Sequence, residues 1–287
     1  MTPTEPMTDV SVPGFGLTLA GSAYGDPTGP PILLSHGGGQ TRHAWRQAGQ
    51  RLADSGRYAL SIDLRGHGDS DWAADAAYDL DDFAADVHTV AVALGRPALV
   101  GASLGGLASL TAIGESEEPI ASALVLVDVT PRLHWEGAMR IRDFMTSGLG
   151  GFERLEDAAD AIAEFNPHRP RSTDLSGLSK NLRLRDGRWH WHWDPAFMTA
   201  RSGVDGQSGL VRHDRLAAAA RRVEVPTLLV RGQMSDIVSE EGVAELRQLI
   251  PHAEVADVAG AGHMVAGDKN DAFNEAVIEF LGRTATC

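Results

Sequence analysis

One serine surrounded by small residues carries the strongest chemical signal in the sequence. The segment Gly101-Ala102-Ser103-Leu104-Gly105 follows an apolar run and leads directly into a helical pattern from Leu104 to Ile113. A sharp turn from strand to helix pushes one side chain into an exposed, strained position, and only small neighbours fit beside it. The pattern therefore predicts that Ser103 is a nucleophile presented on such a turn.

A serine hydroxyl is inert near neutral pH unless a base takes its proton, so a histidine has to reach Ser103. His263 lies in a loop that begins with the small residues Ala259-Gly260-Ala261-Gly262, after the last predicted strand. Where a nucleophilic serine sits on a strand-to-helix turn, the catalytic residues follow along the chain as serine, acid and histidine. This order selects His263 from the eleven histidines of the chain.

The acid that orients this histidine has two candidates. Asp236 follows the strand predicted at Pro226 to Val230 and precedes His263, and we predict that it holds the imidazole. Asp128 stays open as the alternative. It ends the neighbouring strand, predicted at Ala123 to Val127, and an acid there can also reach the histidine.

A run of three glycines follows another predicted strand, in the segment His36-Gly37-Gly38-Gly39. Glycines let the backbone approach a substrate closely, so that N–H groups can be aimed at a developing oxyanion. We predict an oxyanion hole made by the backbone N–H groups of Leu104 and Gly38. Gly37 and Gly39 are the alternatives to Gly38.

Two further features lie close to these residues. Trp45 follows the glycine loop and is a candidate for lining the substrate pocket, with a core position as the alternative. The segment Asp63-Leu64-Arg65-Gly66-His67-Gly68 follows another strand. We interpret it as a tight turn whose polar side chains brace adjacent loops, not as a metal or phosphate site. Arg65 and His67 therefore stay outside the predicted catalytic set.

The elements that must position these residues follow an α/β rhythm. Short apolar runs alternate with longer helical patterns up to about residue 127 and again from Pro226 onward, which predicts a parallel sheet covered by helices on both faces. Residues 131–214 break this rhythm and are rich in arginine and aromatic side chains, and we interpret them as a cap inserted above the sheet. Residues 1–130 and 215–287 then form the core.

Inside the cap, Asp186-Gly187 predicts a two-residue hairpin turn, with a helix from Leu178 to Leu184 as the alternative. A hairpin places apolar side chains on one face and basic ones on the other. The apolar face either packs onto the cap's own core, which we favour, or forms a wall of the substrate site. Its members are Leu182, Leu184, Trp189, Trp191 and Trp193.

Together these motifs resemble the α/β-hydrolase family, in its capped serine-hydrolase branch of esterases and peroxidase-like, epoxide-hydrolase-like and carbon-carbon hydrolase relatives. The resemblance covers nearly the whole chain and implies a mostly parallel sheet of eight strands. Epoxide hydrolases and dehalogenases of the family carry an aspartate where this sequence has Ser103. Carbon-carbon hydrolases commonly have a tryptophan where it has Met264. The resemblance therefore implies an esterase-like enzyme.

We expect cleavage of a carboxylic ester or lactone of a small, partly apolar substrate through an acyl-enzyme on Ser103. This chemistry requires no metal and no organic cofactor. Carbon-carbon bond hydrolysis, perhydrolysis and a non-catalytic ligand receptor on the same fold stay open as alternatives.

The charge and composition exclude several other partners. The 25 Lys and Arg against 39 Asp and Glu give a formal net charge of -14, which repels nucleic acids and anionic membrane surfaces. No apolar run approaches the length of a membrane span, and the first residues lack the features of a secretory signal. The only cysteine is Cys287, so no internal disulfide can form. We expect a cytoplasmic enzyme that acts on a small-molecule substrate. The sequence carries no signal for an oligomeric state.

Overall fold

The structure is a computed structural model that describes residues 7–166, 171, 175, 177–199, 213–263 and 270–284. The strands in these ranges are β1 Thr8–Pro13, β2 Thr18–Tyr24, β3 Pro31–Ser35, β4 Tyr58–Ile62, β5 Ala98–Ala102, β6 Ala123–Val127, β7 Leu182–Arg185, β8 Arg188–Trp191, β9 Thr227–Gly232 and β10 Glu254–Val258. The α-helices there are α1 Arg46–Asp54, α2 Leu80–Ala93, α3 Leu104–Glu115, α4 Trp135–Ser147, α5 Leu155–Phe165, α6 Ala196–Thr199, α7 His213–Arg221, α8 Glu240–Leu249 and α9 Asn270–Thr284.

Eight of these strands form one sheet in the order β1-β2-β4-β3-β5-β6-β9-β10. The pairing is parallel from β4 to β10, and β2 pairs antiparallel with both β1 and β4. The predicted α/β fold with a mostly parallel sheet of eight strands is confirmed. Since β3, β5 and β6 are parallel neighbours, their carboxyl ends meet at one edge of the sheet, which is where such folds bind ligands.

The sheet is buried on both faces, which explains why its central strands are continuous apolar runs. All five residues of β6 are buried. Successive side chains of a strand point to opposite faces. Leu99 thus joins the core under α2, α3 and α7, and Val100 joins the core under α1 and α9.

Between β6 and α7 the chain leaves the sheet and forms α4, α5, a hairpin of β7 and β8, and α6. The predicted hairpin is confirmed, because Leu182 pairs with Trp191 on either side of Asp186 and Gly187. Both turn residues have positive φ, 50° and 78°, as a two-residue turn of this kind requires. The alternative helix is limited to one 3₁₀ turn before β7. Residues 200–212 of the predicted cap lie outside the described residues.

A buried ion pair ties the turn after β4 to α2. The Arg65 guanidinium donates to both carboxylate oxygens of Asp86, at 2.6 and 2.9 Å, and the two side chains are 3% and 0% exposed. The same carboxylate accepts the backbone N–H of Phe15 at 2.7 Å. The bracing role predicted for the turn that contains Arg65 is thus what the structure shows.

Removing the charge of Asp86 tests this brace. We expect Asp86→Asn to lower the free energy of unfolding by about 3 kcal/mol, because it leaves the buried Arg65 guanidinium with only the more distant Asp82 carboxylate, at 3.5 Å, as counter-charge. Urea unfolding of the variant and the parent measures the loss. Asp81→Asn, which removes a largely exposed carboxylate of the same helix, is the matched control and should cost less than about 1 kcal/mol. Equal effects of the two substitutions would contradict the assignment.

Candidate active site

Ser103 lies between β5 and α3 with a backbone that few residues other than glycine adopt. Its φ is 46° and its ψ is -114°. Conformations of this kind cost roughly 1–3 kcal/mol and persist only where the surroundings enforce them, commonly at functional sites. The predicted strand-to-helix turn is therefore present, with Ser103 at its apex.

The glycines around Ser103 enforce this turn, because none of them has room for a side chain. A Cβ on Gly101 would stand 2.4 Å from the carbonyl oxygen of Gly105. A Cβ on Gly105 would meet the carbonyl oxygen of Ser35 at 2.4 Å, and one on Gly106 would meet Val129 at 2.5 Å. The helix can thus start directly at the end of the strand.

The glycine loop after β3 lies beside this turn. The N–H of Gly105 donates to the carbonyl of His36 at 3.1 Å, and a Cβ on Gly37 would stand 3.3 Å from the Cβ of Ser103. Within the loop, the Gly37 N–H donates to Gln40 Oε1 at 2.9 Å and the Gly39 N–H to His67 Nε2 at 3.1 Å. These two alternatives for the oxyanion hole are therefore already engaged.

Gly38 and Leu104 have the N–H groups that suit an oxyanion hole. Among the described residues, no acceptor is within hydrogen-bond distance of the Gly38 N–H. Leu104 is the first residue of α3, where a helix has no carbonyl to offer an N–H and where its dipole favours negative charge. The structure is compatible with the predicted pair, and its role remains a prediction.

His36 fixes the direction of the Gly38 N–H. Its Nδ1 donates to the carbonyl of Gly37 at 2.8 Å, while its Nε2 accepts the N–H of Leu64 at 3.0 Å. The carbonyl of Gly37 and the N–H of Gly38 belong to the same planar peptide and point in opposite directions. Burial lowers the pKa of His36 to about 4, which keeps the ring neutral and able to accept from Leu64.

His263 is paired with Asp128. The Nδ1 of His263 donates to Oδ2 of Asp128 at 2.7 Å, and the Asp128 side chain is completely buried. That carboxylate also accepts the Gly232 N–H at 3.0 Å and the Ser235 hydroxyl at 2.6 Å. These donors satisfy the hydrogen-bonding capacity of the buried carboxylate and leave one orientation for the imidazole.

The prediction that Asp236 orients the histidine is wrong. Asp236 forms an ion pair with Arg140 of α4, and its backbone carbonyl packs against Gly137. The side chain of its neighbour, Ser235, contacts the pair instead, through its hydrogen bond to Asp128 Oδ2. The open alternative, Asp128, has the geometry that the prediction assigned to Asp236.

Sequence register explains why Asp128 and Ser103 are neighbours. Ala102 pairs with Val127 in the sheet, and the Ser103 N–H donates to the Val127 carbonyl at 3.2 Å. Asp128 then leaves β6 with a φ of 50°, a backbone turn that no local pattern in the sequence announces. The signal available was its place directly after a bare apolar strand.

The prediction that Trp45 lines the substrate pocket is also wrong. Trp45 is 1% exposed and packs with Phe273 of α9, at 5.9 Å between the rings, in the core on the α1 and α9 face of the sheet. The alternative, a core position, is what the structure shows.

Side chains of the cap cover the glycine loop instead, and two of them, Phe197 and Met145, were not singled out by sequence reasoning. A Cβ on Gly38 would stand 3.5 Å from the ring of Phe197 in α6, and one on Gly39 would stand 3.0 Å from Met145 in α4. Trp193 also faces Gly39. Of the apolar hairpin face, Trp191 packs with Phe152 inside the cap, so this face serves both the cap core and the site.

Two negative findings concern the described ranges alone. There, no three His, Cys, Asp or Glu side chains lie together in a way that could bind a metal ion. No helix within those ranges is long and apolar enough to cross a bilayer.

The neutral state of His36 makes stability depend on pH. The unfolded chain binds a proton at the ordinary pKa of 6.5, whereas the folded chain does so only near 4. Acidification through this window therefore favours unfolding, by about 2 kcal/mol between about pH 7 and about pH 5. We expect His36→Asn, which keeps the donor toward Gly37, to lose this part of the pH dependence in urea-unfolding measurements. His88→Asn, at an exposed position, is the control. Parallel profiles for all three proteins would contradict the assignment.

Comparison with known proteins assigns the family. Residues 30–269 match the family described as the alpha/beta hydrolase fold. Esterase Rv0045c of Mycobacterium tuberculosis is 31% identical over 260 residues, which are 86% of this chain and 81% of that protein. The 2-(acetamidomethylene)succinate hydrolase of Mesorhizobium japonicum is 28% identical over 258 residues, 88% of each chain. The solved structure of E-2-(acetamidomethylene)succinate hydrolase has a TM-score of 0.83 at 27% identity and covers 96% of this chain and 100% of that one. The chain therefore belongs to the α/β-hydrolase family and is a hydrolase of that fold.

Proposed function

We propose that the protein is a serine hydrolase that cleaves a carboxylic ester or lactone of a small, partly apolar substrate through an acyl-enzyme. One observation carries the proposal: Ser103 stands on a strained turn beside the end of the strand that leads to Asp128, whose buried carboxylate is paired with His263. Within the described part of the chain, the Gly38 N–H has no acceptor. The proposal assigns Ser103 as nucleophile, His263 as base and Asp128 as orienting acid at one edge of the sheet, with the N–H groups of Gly38 and Leu104 as oxyanion donors.

In the first half of the reaction, Ser103 Oγ attacks the carbonyl carbon of the substrate while His263 Nε2 takes its proton. Asp128 keeps the proton of His263 on Nδ1, so that Nε2 is free to act as the base, and it stabilises the imidazolium that forms. The N–H groups of Gly38 and Leu104 donate to the oxyanion. His263 then gives the proton to the leaving alcohol, and the acyl group stays on Ser103.

In the second half, water replaces the alcohol. His263 takes a proton from the water, the resulting hydroxide attacks the acyl carbon, and the same two N–H groups stabilise the second oxyanion. Collapse of this intermediate returns the proton to Ser103 and releases the acid. The residues named here account for every proton transfer.

The packing of the cap over the glycine loop favours a substrate with a short acyl group. Phe197 packs at 4.8 Å from the ring of His67 and at 5.9 Å from that of Phe83, both completely buried, so it has little freedom to move aside. Because Phe197 and Met145 stand over the glycine loop, a substrate carbonyl that reaches the Gly38 N–H has space for only a small substituent beside it.

A second candidate, cleavage of an amide-type bond, is supported by the likeness to 2-(acetamidomethylene)succinate hydrolase in sequence and structure. The same residues would act, with His263 giving its proton to a leaving nitrogen in place of an oxygen. An N-acyl enamine diacid tests this candidate directly.

Hydrolysis of p-nitrophenyl esters with acyl chains from acetyl to decanoyl tests the proposal. We expect the acetyl and butyryl esters to be the better substrates and Ser103→Ala to lower kcat by about a million-fold, because the variant lacks the hydroxyl that forms the acyl-enzyme. Circular dichroism and thermal unfolding confirm that the variant is folded. Undiminished turnover in Ser103→Ala would refute the mechanism.

The outcomes of this panel separate the open alternatives. Turnover of the N-acyl enamine diacid in preference to all esters would favour the second candidate. Ser103-dependent formation of a peracid from hydrogen peroxide and a carboxylic acid, detected by oxidation of a reporter dye, would indicate perhydrolysis. Cleavage of a vinylogous diketone would indicate carbon-carbon hydrolysis. A protein that binds these compounds without turnover would be a receptor.

A pair of isosteric variants tests which acid orients His263. We expect Asp128→Asn to lower kcat on the best ester about ten-thousand-fold, because an amide in this position favours the wrong imidazole tautomer. Asp236→Asn, which changes only the ion pair with Arg140, should retain kcat within about threefold. The reverse ranking would restore Asp236 as the triad acid.

A further inference from the structure

The turn after β4 is shared between the core and the cap. The Gly68 N–H donates to the carbonyl of His192 at 2.7 Å, and the Asp194 N–H donates to the carbonyl of Gly66 at 2.7 Å. His67, between the two glycines, forms a β-bridge with Trp193. The end of the cap hairpin thus pairs with residues 66–68 as a short antiparallel strand.

The side chain of His67 contacts both the cap and the glycine loop. Its Nδ1 donates to the carbonyl of Arg65 at 2.9 Å, and its Nε2 accepts the N–H of Gly39 at 3.1 Å. The ring of His67 also packs edge-on with Phe197 of the cap, at 4.8 Å. His67 is completely buried, so no solvent can replace these partners without a structural change.

Gly38 needs support from both sides, because a glycine has no conformational preference that would fix its N–H. His36 holds the peptide before Gly38 through the carbonyl of Gly37. His67 holds the peptide after Gly38 through the N–H of Gly39. The two histidines together set both dihedral angles of Gly38.

A second contact fastens the cap at the same place. The Tyr78 hydroxyl donates to Asp194 Oδ2 at 2.5 Å and accepts the N–H of Ala73 at 2.9 Å. Burial, together with the hydrogen bond to Asp194, raises the pKa of Tyr78, so the phenol stays protonated as this bond requires. Tyr78 therefore anchors Asp194, the residue after Trp193, to the core.

We propose that His67 is a positioning residue that couples cap docking to the oxyanion hole. While the cap strand pairs with residues 66–68, His67 holds the N–H of Gly39 and thereby the peptide that follows Gly38. When the cap strand separates, this segment loses two backbone hydrogen bonds and the ring contact with Phe197, and Gly39 is released. The proposal rests on the proposed function, since it takes the Gly38 N–H to be an oxyanion donor.

One matched pair of variants tests the hydrogen bond from Gly39. His67→Gln offers an amide oxygen in place of Nε2, whereas His67→Met has nearly the same length and no comparable acceptor. With p-nitrophenyl acetate, we expect His67→Met to lower kcat about 30-fold with KM within about threefold, because loss of one oxyanion donor costs about 100- to 1,000-fold and here the donor is only misaligned. His67→Gln should recover most of kcat. Equal kcat in the two variants would overturn the role of this acceptor.

A double-mutant cycle tests the coupling to the cap. We expect Tyr78→Phe to lower kcat about fivefold, and the double variant Tyr78→Phe/His67→Met to lose little more than His67→Met alone, since both act through one path. Arg188→Ala removes contacts within the cap, to the carbonyls of Gly150 and Gly151, and should leave kcat unchanged. Multiplicative losses in the double variant would overturn the coupling.

Amide hydrogen exchange supplies a readout that needs no turnover. We expect Tyr78→Phe and His67→Met to speed exchange at residues 37–40 at least tenfold and Arg188→Ala to leave it unchanged. If Ser103→Ala retained full activity while these exchange rates changed as expected, the proposed function would fail and the coupling would stand. Faster exchange in the cap hairpin alone, with residues 37–40 unchanged in Tyr78→Phe, would overturn the coupling.

Discussion

The left-handed backbone of Ser103 is the constraint on which the site depends. A φ of 46° at a residue with a side chain is sustained only because the strand before it and the helix after it pack without a gap. That packing requires glycine at three positions. At each of them, an added Cβ would stand within about 2.5 Å of a backbone or side-chain atom. The helix that begins directly after Ser103 places the Leu104 N–H in its first turn, where the helix dipole favours negative charge.

The other polar side chains at this edge of the sheet are buried, and each is stabilised there by hydrogen bonds. Asp128 is buried and accepts hydrogen bonds from a backbone N–H, a serine hydroxyl and His263. His36 and His67 are buried, and each accepts a backbone N–H group. A buried group with every hydrogen bond satisfied has one favourable geometry, so the same contacts that avoid a desolvation penalty also preorganise the site.

The sequence predicted those parts of the site that local patterns encode. Short-range patterns identify the turn at Ser103, the glycine loop and the hairpin at Asp186-Gly187, because each has a steric requirement that only certain residues meet. The alternation of apolar runs gave the fold, since a parallel sheet must be covered on both faces. His263 followed from its loop and its place in the chain.

The triad acid and the substrate-facing side chains depend on long-range packing that no local pattern reports. Asp128 and Asp236 both follow strands, and the choice between them rests on a backbone turn at Asp128 and on Arg140, which binds Asp236 from a cap helix more than 90 residues earlier. Trp45 was assigned to the pocket because it is near the glycine loop in sequence. Its side chain packs in the core under α1 and α9, on the face of the sheet opposite to the core that includes Phe197 and Met145. Phe197 and Met145 reach the loop only because the cap folds back over the sheet.

Site-mapped labelling with a fluorophosphonate tests the central claim, that Ser103 is an activated nucleophile, without knowledge of the substrate. The account predicts one phosphonate per chain by intact mass, located on the peptide that contains Ser103 by tandem mass spectrometry, and slowed at least a hundredfold in Asp128→Asn. An adduct on another residue, or a folded protein that takes up no label at all, would contradict it.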